Sequence, residues 1–465
     1  MNVHPHDREQ RMTESRIEEQ SDGFERPRSL KRRALLGSAW TLSSHLASQF
    51  LRLGSNLLLT RLLFPEAFGL MALVQTFMIG LEMFSDVGIR PSIIQSKRGS
   101  DPAFLNTAWT IQAGRGCGLW LCACLIAFPA AKFYSEPMLM QLLPVVGLTS
   151  LISGLNSTKL ATSNRQLDMA RLTMLELGSQ IVSLIVMLVG AWMFRSVWAL
   201  VVGGLVGSFL SMVLSHTMLQ GENNRFHWDS DAFRELHHFG RWIFLSTVLT
   251  FIASQGATLV MPQLMGLRFL GIFKNAQTLS QMSSEVLNSV GDRVLFPSYS
   301  ELVRERPERL YRALRRSRIV MLAMSWCTSL FFILFGKQLI DLLYDSRYTD
   351  AGWMLQILAL GSLVGMVGHT YNNVLLARGQ SRTISVLLVV EIGVRFTAMF
   401  LGNYFGGQQG VIIGLASVGW LMYPALAICY IRISMWQPEV DLPVIAAATG
   451  ITTVVLFHQH LIPVP

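Results

Sequence analysis

The segment LFPEAFGLMALVQTF at residues 63–77 returns in altered form as MGLRFLGIFKNAQTL at residues 265–279. At this shift of 202 positions a glycine, a glutamine and a threonine coincide: Gly69 with Gly271, Gln75 with Gln277, and Thr76 with Thr278. A second match, at a shift of 215 positions, pairs Glu-Leu-Gly at 176–178 with Glu-Ile-Gly at 391–393. Two matches in the same chain order predict an internal repeat.

Both copies of the repeat lie in apolar stretches long enough to cross a membrane. Of the 465 residues, 51% are hydrophobic and 14% are charged, whereas about a quarter of the residues of a soluble domain are charged. This composition excludes a disordered chain and argues against a soluble enzyme. One span needs roughly 20 apolar residues. We predict thirteen spans, at 34–60, 66–88, 104–130, 138–158, 172–194, 197–219, 242–263, 270–295, 319–337, 352–376, 384–404, 410–431 and 443–461.

The distribution of lysine and arginine predicts the orientation of these spans. With the N-terminus in the cytoplasm, the cytoplasmic segments carry 28 of the 38 basic residues and the outer segments carry 7. Such a bias is typical of the cytoplasmic side of membrane proteins. We therefore predict a multi-pass membrane protein with a cytoplasmic N-terminus. The net charge of +9 follows from this topology, and we do not predict a nucleic-acid partner.

The repeat and the spans together predict the domain organisation. The first match lies on spans 2 and 8 and the second on spans 5 and 11, so spans 7–12 repeat spans 1–6 in the same orientation. Two such halves enclose a central cavity and can rock about it, as in many secondary transporters. The predicted fold is an all-α polytopic membrane protein. Its parts are a disordered cytoplasmic tail (1–33), an N-terminal six-helix lobe (34–220), a cytoplasmic amphipathic linker (221–241), a C-terminal six-helix lobe (242–432) and an extra C-terminal helix (433–465).

Three arginines fall inside the predicted spans: Arg52, Arg115 and Arg395. A charge at the bilayer centre costs at least about 2.5–3.5 kcal/mol, so such residues usually face a wet cavity or a partner. A guanidinium binds phosphate through paired hydrogen bonds and stays charged when it is desolvated. We therefore predict a phosphate-binding role for the three. The alternatives are snorkelling for Arg52 and an ion pair with Glu391 for Arg395.

Five carboxylates are candidates for ion coupling or for the cavity wall: Glu285, Glu391, Asp86, Glu82 and Glu176. A carboxylate at membrane depth can bind a proton or sodium. For Asp86, Glu82 and Glu176 a cap or loop contact at the membrane interface is the favoured alternative. The five cysteines form no CxxC pair, and no P-loop, HExxH or GxSxG motif occurs. We predict no metal site, no cofactor and no enzymatic activity.

Two predicted cytoplasmic loops have distinctive compositions. Residues 225–241, RFHWDSDAFRELHHFGR, predict an amphipathic helix capped by Asp229 or Asp231, with its apolar face toward lipid. Residues 297–318, PSYSELVRERPERLYRALRRSR, are strongly basic. Topology anchoring with contact to anionic lipid is the favoured interpretation, and attraction of a lipid-phosphate substrate is the alternative.

Four segments carry a resemblance to a known family. They are RRALLGSAWTLSSHLASQFLRLGSNLLLTRLLFPEAFGLMALVQTF (32–77), SNRQLDMARLTMLEL (163–177), SVWALVVGGLVGSFL (196–210) and FPSYSELVRERPERLYRALRRS (296–317). The chain resembles bacterial polysaccharide flippases of the Wzx type, within the multidrug/oligosaccharidyl-lipid/polysaccharide exporter superfamily. The resemblance covers most of the chain from residue 32 onward.

The resemblance implies two six-helix lobes in a V around the cavity, with about one extra C-terminal helix. It implies a location in the bacterial inner membrane and an undecaprenyl-diphosphate-linked oligosaccharide as substrate. The substrate would be moved from the cytoplasmic to the periplasmic leaflet for exopolysaccharide, capsule or O-antigen assembly. Partners would include the lipid bilayer and the polysaccharide polymerase and export machinery. Related lipid II flippases place arginines in the cavity, and Arg52 is the position that resembles this use best. The alternative function is a multidrug or cation exporter of the same superfamily.

Overall fold

The computed structural model describes residues 30–86, 88–166, 168–233 and 244–458. Regular structure within these ranges is helical. The helices are α1 (Leu30–Leu62), α2 (Pro65–Phe84), α3 (Ile89–Gln95), α4 (Pro102–Tyr134), α5 (Leu139–Gly154), α6 (Lys159–Arg165), α7 (Met169–Phe194), α8 (Trp198–Thr217), α9 (Phe244–Val290), α10 (Phe296–Glu305), α11 (Pro307–Leu343), α12 (Asp350–His369), α13 (Asn372–Ala377), α14 (Ser381–Arg432) and α15 (Pro438–His458). A π-helical turn (Gly291–Leu295) and a 3₁₀ turn (Ser346–Tyr348) complete the list. The predicted N-terminal tail, 1–33, lies almost entirely outside the described residues.

Two of these helices are each divided by a glycine. A continuous helix of 52 residues, the length of α14, would extend about 78 Å, far more than the roughly 30 Å of hydrocarbon. Gly407 in α14 has φ 55° and Gly266 in α9 has φ 81°, a left-handed region that favours glycine. We name the resulting arms α9a (244–265), α9b (267–290), α14a (381–406) and α14b (408–432).

The described helices account for the predicted spans. Nine of them are long and apolar enough to cross a membrane, or ten if α5 and α6, bent by 56°, form one span. Since α9 and α14 contribute two arms each and α1 covers the first predicted span, every predicted span coincides with a helix or an arm. The predicted all-helical polytopic fold is confirmed.

Each half of the chain has its own apolar core. In the first half, Leu73 and Val74 of α2 pack with Leu142 of α5 and Ala191 of α7. In the second half the core is built by α9, α11, α12, α14 and α15. Leu363 of α12, in the middle of that second core, is completely buried. The two cores leave room for a cavity between the halves.

The last helix, α15, is attached to the second half by a buried ion pair. Arg318 of α11 and Asp441 of α15 are both fully buried, and Arg318 Nη2 lies 2.5 Å from Asp441 Oδ1. Arg318 also donates to Thr370 Oγ1 at 2.9 Å and to Gln437 Oε1 at 3.1 Å, and its guanidinium lies 3.6 Å from the centre of the Tyr371 ring. The sequence predicted that Arg318 lies in a basic loop at the membrane surface. That prediction was wrong, because an acid 123 residues away neutralises the arginine inside the protein.

The linker between the halves departs from the predicted amphipathic helix. Residues 222–229 are not helical and lie along α4 instead. The amides of Arg225 and Asp229 donate to the side chains of Asn106 at 2.9 Å and Thr107 at 3.0 Å. Helix begins only at residue 230, and the Asp229 carboxylate accepts the amide of Asp231 at 3.0 Å. Within the predicted segment, 225–241, residues 225–229 are not helical, because α4 supplies hydrogen-bond partners for their backbone. The predicted cap at Asp229 is confirmed, and residues 234–243 lie outside the described residues.

The same linker is held by a charged cluster at the start of α4. Arg98 donates to Asp229 at 2.7 Å and to Asp101 at 2.9 Å. Hydrogen bonds from the Arg98 guanidinium hold the pKa of both carboxyls below the usual range of aspartate. The cluster therefore keeps its charges at neutral pH.

Candidate functional site

A cavity of about 700 Å³ lies between the two halves. Its wall is formed mainly by α1, α2 and α9b, with contributions from α7, α8 and α9a. The cavity thus draws residues from both copies of the repeat. Its size falls within the range of about 300–1,000 Å³ that is typical of ligand pockets.

Among the described residues, three charged side chains line this cavity: Arg52, Lys274 and Glu285. Arg52 is exposed, and its side chain forms no hydrogen bond or ion pair with the described part of the chain. Lys274 Nζ donates to Gln277 Oε1 at 3.0 Å. Glu285 Oε2 accepts from Gln49 Nε2 at 2.8 Å. Two cations therefore face the cavity together with one carboxylate.

The remaining polar lining consists of amides and hydroxyls. The amides are Gln49, Asn56, Gln75, Gln255 and Asn275, and the hydroxyls are Ser55, Thr76 and Thr278. Asn56 Nδ2 of α1 donates to Asn275 Oδ1 of α9b at 2.8 Å, so one amide pair bridges the two halves. An amide both donates and accepts hydrogen bonds, and this lining can therefore pair with hydroxyl groups.

The charged residues lie at different depths. At a rise of 1.5 Å per residue, Lys274 lies about 12 Å along α9b from Gly266, and Glu285 lies about 28 Å from it. Arg52 lies about 15 Å from the end of α1 at Leu62. We name the side of the bundle that holds Gly266 and Leu62 the Gly266 end. The cations thus lie in the half of the cavity nearer this end. The exposed side chain of Glu285 lies toward the opposite end, which we name the mouth of the cavity.

The Gly266 end is closed by contacts between the two halves. Arg347 Nη2, from the 3₁₀ turn before α12, donates to the carbonyls of Arg61 at 2.9 Å and Thr60 at 3.3 Å. These carbonyls belong to the last turn of α1, which has no intrahelical donors left for them. Next to it, Tyr348 is completely buried and its hydroxyl donates to the Leu63 carbonyl at 3.4 Å.

A second set of contacts joins α4 to α9a at the same end. The hydroxyl of Tyr134 donates to the Leu259 carbonyl at 2.8 Å, and Gln263 Nε2 donates to the Phe133 carbonyl at 2.5 Å. Two separate sets of contacts between described residues therefore join the halves at this end.

The two glycines matched by the repeat lie where α2 crosses α9b. A Cβ atom on Gly69 would lie 1.9 Å from the Leu267 carbonyl oxygen, and one on Gly271 would lie 2.0 Å from the Pro65 carbonyl oxygen. The two backbones are therefore in direct contact. The matched threonines, Thr76 and Thr278, both line the cavity below this crossing. Equivalent positions of the repeat face each other across the crossing.

Three predicted site residues cluster at the end of α2 and do not line the cavity. Arg115 donates from Nε to Ser85 Oγ at 2.9 Å and from Nη2 to the Glu82 carbonyl at 2.8 Å. The Glu82 carboxylate accepts from Ser150 Oγ at 3.2 Å. Asp86 Oδ1 accepts the amide of Gly88 at 2.9 Å. In this structure Arg115 caps the end of a helix, because the free carbonyls of α2 are within its reach.

The three other predicted residues also lie off this cavity. Arg395 and Glu391, one turn apart on α14a, form an ion pair, and Arg395 Nε is buried without a partner in the described part of the chain. Glu176 of α7 is exposed. Of the eight predicted site residues, the structure thus brings Arg52 and Glu285 together in the cavity and separates the rest from it.

Lys274 is the cavity residue that sequence reasoning missed. Lys274 was grouped with the seven basic residues of the predicted outer segments, although it lies within the predicted eighth span, 270–295. The signal was helical periodicity. Lys274, Thr278, Met282 and Glu285 are spaced by three or four positions and so share one face of α9b.

Comparison with known proteins identifies the family. The sequence model of the family described as "Polysaccharide biosynthesis protein" matches residues 58–352. The chain belongs to the polysaccharide biosynthesis protein family. The family predicted from the sequence is thereby confirmed, and the chain is a multi-pass bacterial membrane protein.

Individual relatives of this polysaccharide biosynthesis protein are distant but cover most of it. The chain is 21% identical to the lipopolysaccharide biosynthesis protein WzxC of Escherichia coli (strain K12), over 91% of this chain and 89% of the relative. It is also 21% identical to the succinoglycan biosynthesis transport protein ExoT of Rhizobium meliloti (strain 1021), over 82% of this chain and 76% of the relative.

Two solved structures show the same fold. An inward-facing multidrug resistance MATE family transporter of the MOP superfamily matches with a TM-score of 0.66 and 13% identity, covering 83% of this chain and 94% of that one. The lipid II flippase MurJ, in an inward closed conformation, matches with a TM-score of 0.59 and 13% identity, covering 92% and 96%. At this identity the likeness concerns the fold.

Proposed function

We propose that this protein moves an undecaprenyl-diphosphate-linked oligosaccharide from the cytoplasmic to the periplasmic leaflet of the inner membrane. The observation that carries the proposal is the cavity between the halves, with Arg52 and Lys274 among amides and hydroxyls. Family membership and the names of WzxC and ExoT support a role in the synthesis and transport of a polysaccharide precursor. The glycan joins exopolysaccharide, capsule or O-antigen, and the polymerase and export machinery receives it.

The physical task matches this lining. A sugar hydroxyl that leaves water without a partner costs several kcal/mol, and a diphosphate adds charge. A wet cavity with amide groups replaces the lost hydrogen bonds, while the polyprenyl tail stays in lipid. Because the headgroup only changes sides, no covalent bond has to change. We therefore propose a transporter and not an enzyme.

Arg52 and Lys274 are the residues that we propose to hold the diphosphate. Arg52 has no competing ion pair in the described part of the chain, so its guanidinium is available for a phosphate. Lys274 provides a second positive charge deeper toward the Gly266 end. Arg115 and Arg395 play no part in this conformation, because the end of α2 and Glu391 respectively occupy them.

The orientation and mechanism follow from the same geometry. We propose that the N-terminus is cytoplasmic, so that the Gly266 end is periplasmic and the mouth near Glu285 opens to the cytoplasm. The contacts of Arg347 and Tyr134 then close the periplasmic side. The two six-helix lobes rock about the α2–α9b crossing to open that side and release the glycan.

The test is a flipping assay in proteoliposomes. Wild type and variants are supplied with a fluorescent undecaprenyl-diphosphate oligosaccharide, and the fraction that an external quencher reaches is followed with time. We expect Arg52→Ala and Lys274→Ala each to slow movement by about tenfold or more, because a hydrogen bond to a charged group contributes about 1.5–3 kcal/mol.

Matched controls remove the same side chains elsewhere. Arg432→Ala and Lys132→Ala remove an exposed arginine and an exposed lysine that do not line the cavity. The flipping rate of both variants is expected to stay within about twofold of wild type. A wild type that leaves the glycan unmoved, with and without a proton gradient, would overturn the proposal. Uptake of a cationic dye by the same vesicles would then favour the multidrug or cation exporter.

A further inference from the structure

The charge balance of the cavity limits which glycans it can hold. Among the described residues that line it, Arg52 and Lys274 are positive and Glu285 is negative. All other polar groups of this lining are amides or hydroxyls. In a diphosphate that links lipid to sugar, each phosphate carries a full negative charge. The phosphates therefore match the two cations and leave no spare positive charge in the lining.

An acidic sugar would meet two penalties in this cavity. Its carboxylate would leave water without a cation to pair with, and an unpaired charge is costly to desolvate. It would also approach Glu285, whose carboxylate lies near the mouth and is held there by Gln49 at 2.8 Å. Like charges that are brought together oppose binding.

A neutral sugar, in contrast, finds partners on several helices. Gln49 and Asn56 come from α1, Gln75 from α2, Gln255 from α9a and Asn275 from α9b. Every hydroxyl of a neutral hexose donates and accepts, and so does every amide. At a rise of 1.5 Å per residue along their helices, Asn56, Gln75, Gln255 and Asn275 lie at about the same depth as the two cations, and Gln49 lies between them and Glu285.

We propose that this cavity selects lipid-linked glycans whose sugars next to the diphosphate are uncharged, and that Glu285 is the residue that discriminates against acidic sugars. The inference rests on the proposed flippase function and adds a substrate class to it. The specificity lies in the lining and therefore acts before the periplasmic side opens.

Two substrates that differ at one carbon test the proposal. Undecaprenyl-diphosphate disaccharides with glucose or with glucuronate next to the diphosphate are compared in the same proteoliposome assay. We expect the glucuronate lipid to move at about one tenth of the glucose rate or less, since a tenfold ratio corresponds to about 1.4 kcal/mol. Equal rates, or faster movement of the acidic lipid, would overturn the inference and leave the flippase function standing. If neither lipid moves, the flippase function itself fails.

Variants at two positions test the role of Glu285. Glu285→Gln keeps a hydrogen-bond acceptor for Gln49 and removes the charge, and we expect the ratio of glucuronate to glucose movement to rise by about tenfold. Thr278→Lys, which adds a cation on the same face of α9b, is expected to raise this ratio as well. The rate with the glucose lipid serves as the reference for folding in each variant.

Glu222→Gln is the matched control. It removes a carboxylate from an exposed loop residue outside the cavity, and the ratio is expected to stay as in wild type. A ratio that Glu285→Gln leaves unchanged would contradict the role of Glu285. A ratio that rises equally in Glu222→Gln would mean that the overall charge of the protein acts, and not the cavity.

Discussion

Arginine illustrates how the same side chain serves different ends in this protein. Arg52 lines the cavity without a protein partner in the described part of the chain, Arg115 caps α2, Arg395 pairs with Glu391, and Arg318 is buried against Asp441. The depth of an arginine along its span does not distinguish these roles. The nearest acceptor distinguishes them, because a guanidinium inside a membrane protein binds whichever carbonyl or carboxylate its helix brings within reach.

The Arg318–Asp441 pair predicts a large effect on stability. Asp441→Asn would leave the Arg318 charge buried and uncompensated, and we expect a loss of about 3–5 kcal/mol of unfolding free energy. Unfolding in mixed detergent, followed by tryptophan fluorescence, measures this loss. The control is Glu439→Gln, two residues earlier and at the surface, with an expected effect of less than about 1 kcal/mol.

A double variant separates charge from packing at this site. Arg318→Met combined with Asp441→Leu removes both charges and keeps apolar volume, so it is expected to cost less than Asp441→Asn alone. If the double variant is as unstable as the single one, the network of Thr370, Tyr371 and Gln437 contributes more than the ion pair does.

The cluster around Arg98 predicts how the linker responds to pH. Arg98 lowers the pKa of Asp101 and Asp229. The two ion pairs therefore stabilise the folded linker fully above the pKa of aspartate in the unfolded chain, about 3.9. This stabilisation is lost as the pH falls through the still lower pKa of these aspartates in the folded protein. A spin label at Ser230→Cys, with the five natural cysteines replaced, is expected to stay immobile from about pH 5 to 8 and to become mobile only below about pH 3.9.

Removal of the positive charge of Arg98 tests the same cluster at neutral pH. With Arg98→Ala the same label is expected to be mobile at pH 7 already, whereas Arg90→Ala, an exposed arginine in the same region, is expected to leave it immobile. A label that stays immobile in Arg98→Ala would show that the hydrogen bonds to Asn106 and Thr107 hold the linker without the ion pairs.

At the scale of the elements, spans could be predicted from the sequence but the linker could not. A helix that crosses a membrane must be long, apolar and internally hydrogen-bonded, and this requirement is visible in a local stretch of sequence. Even the breaks at Gly266 and Gly407 lie between separately predicted spans. Residues 225–229 belong to a segment, 225–241, with the composition of an amphipathic helix, yet they are not helical, because Asn106 and Thr107 of α4 bind the amides of Arg225 and Asp229.

The crossing of α2 and α9b predicts that its glycines tolerate no side chain. A methyl group on Gly69 would lie 1.9 Å from a backbone oxygen that cannot rotate away, so Gly69→Ala must move one helix against the other. We expect a lower unfolding temperature and a glycan-flipping rate at least about tenfold lower for Gly69→Ala and for Gly271→Ala.

Two helical glycines without neighbours are the controls for this prediction. A Cβ atom on Gly54 or Gly204 meets nothing within 4 Å, so alanine there is expected to be neutral or to stabilise by up to about 1 kcal/mol. An unfolding temperature and flipping rate for Gly69→Ala equal to those for Gly204→Ala would mean that the two halves separate easily at this crossing.

At the scale of the whole molecule, the contacts at the Gly266 end hold one side of the cavity shut. Arg347 supplies a charged contact, because its guanidinium donates to the last carbonyls of α1 from the other half of the chain. The Arg268–Glu66 pair at the same end has a separation of 3.9 Å and both side chains are more than half exposed. Exposed pairs of this kind contribute little.

Arg347→Ala is therefore expected to open the Gly266 end more often. In a variant without natural cysteines, Ser55→Cys in the cavity reports on this opening through its reaction with a membrane-impermeant maleimide from the periplasmic side. We expect about fivefold to tenfold faster labelling with Arg347→Ala, for a lost contribution of about 1–1.4 kcal/mol. Arg268→Ala is the control and is expected to change the rate by less than about twofold. Equal labelling in the two variants would assign the closure to Tyr134 and Gln263 instead.

The sequence by itself determined the all-helical membrane fold and the family. The fold depends on the bilayer as a solvent, which requires apolar length and internally paired backbone in every membrane-spanning helix separately. The composition of the site was decided only by the tertiary structure. Rotation of each helix about its axis selects which face meets the cavity. Away from the cavity, Arg395 pairs with Glu391 on its own helix and Arg115 binds the end of α2. Hence Arg52, Glu285 and the unforeseen Lys274 line one cavity, while Arg115, Glu82, Asp86, Glu176, Glu391 and Arg395 lie outside it.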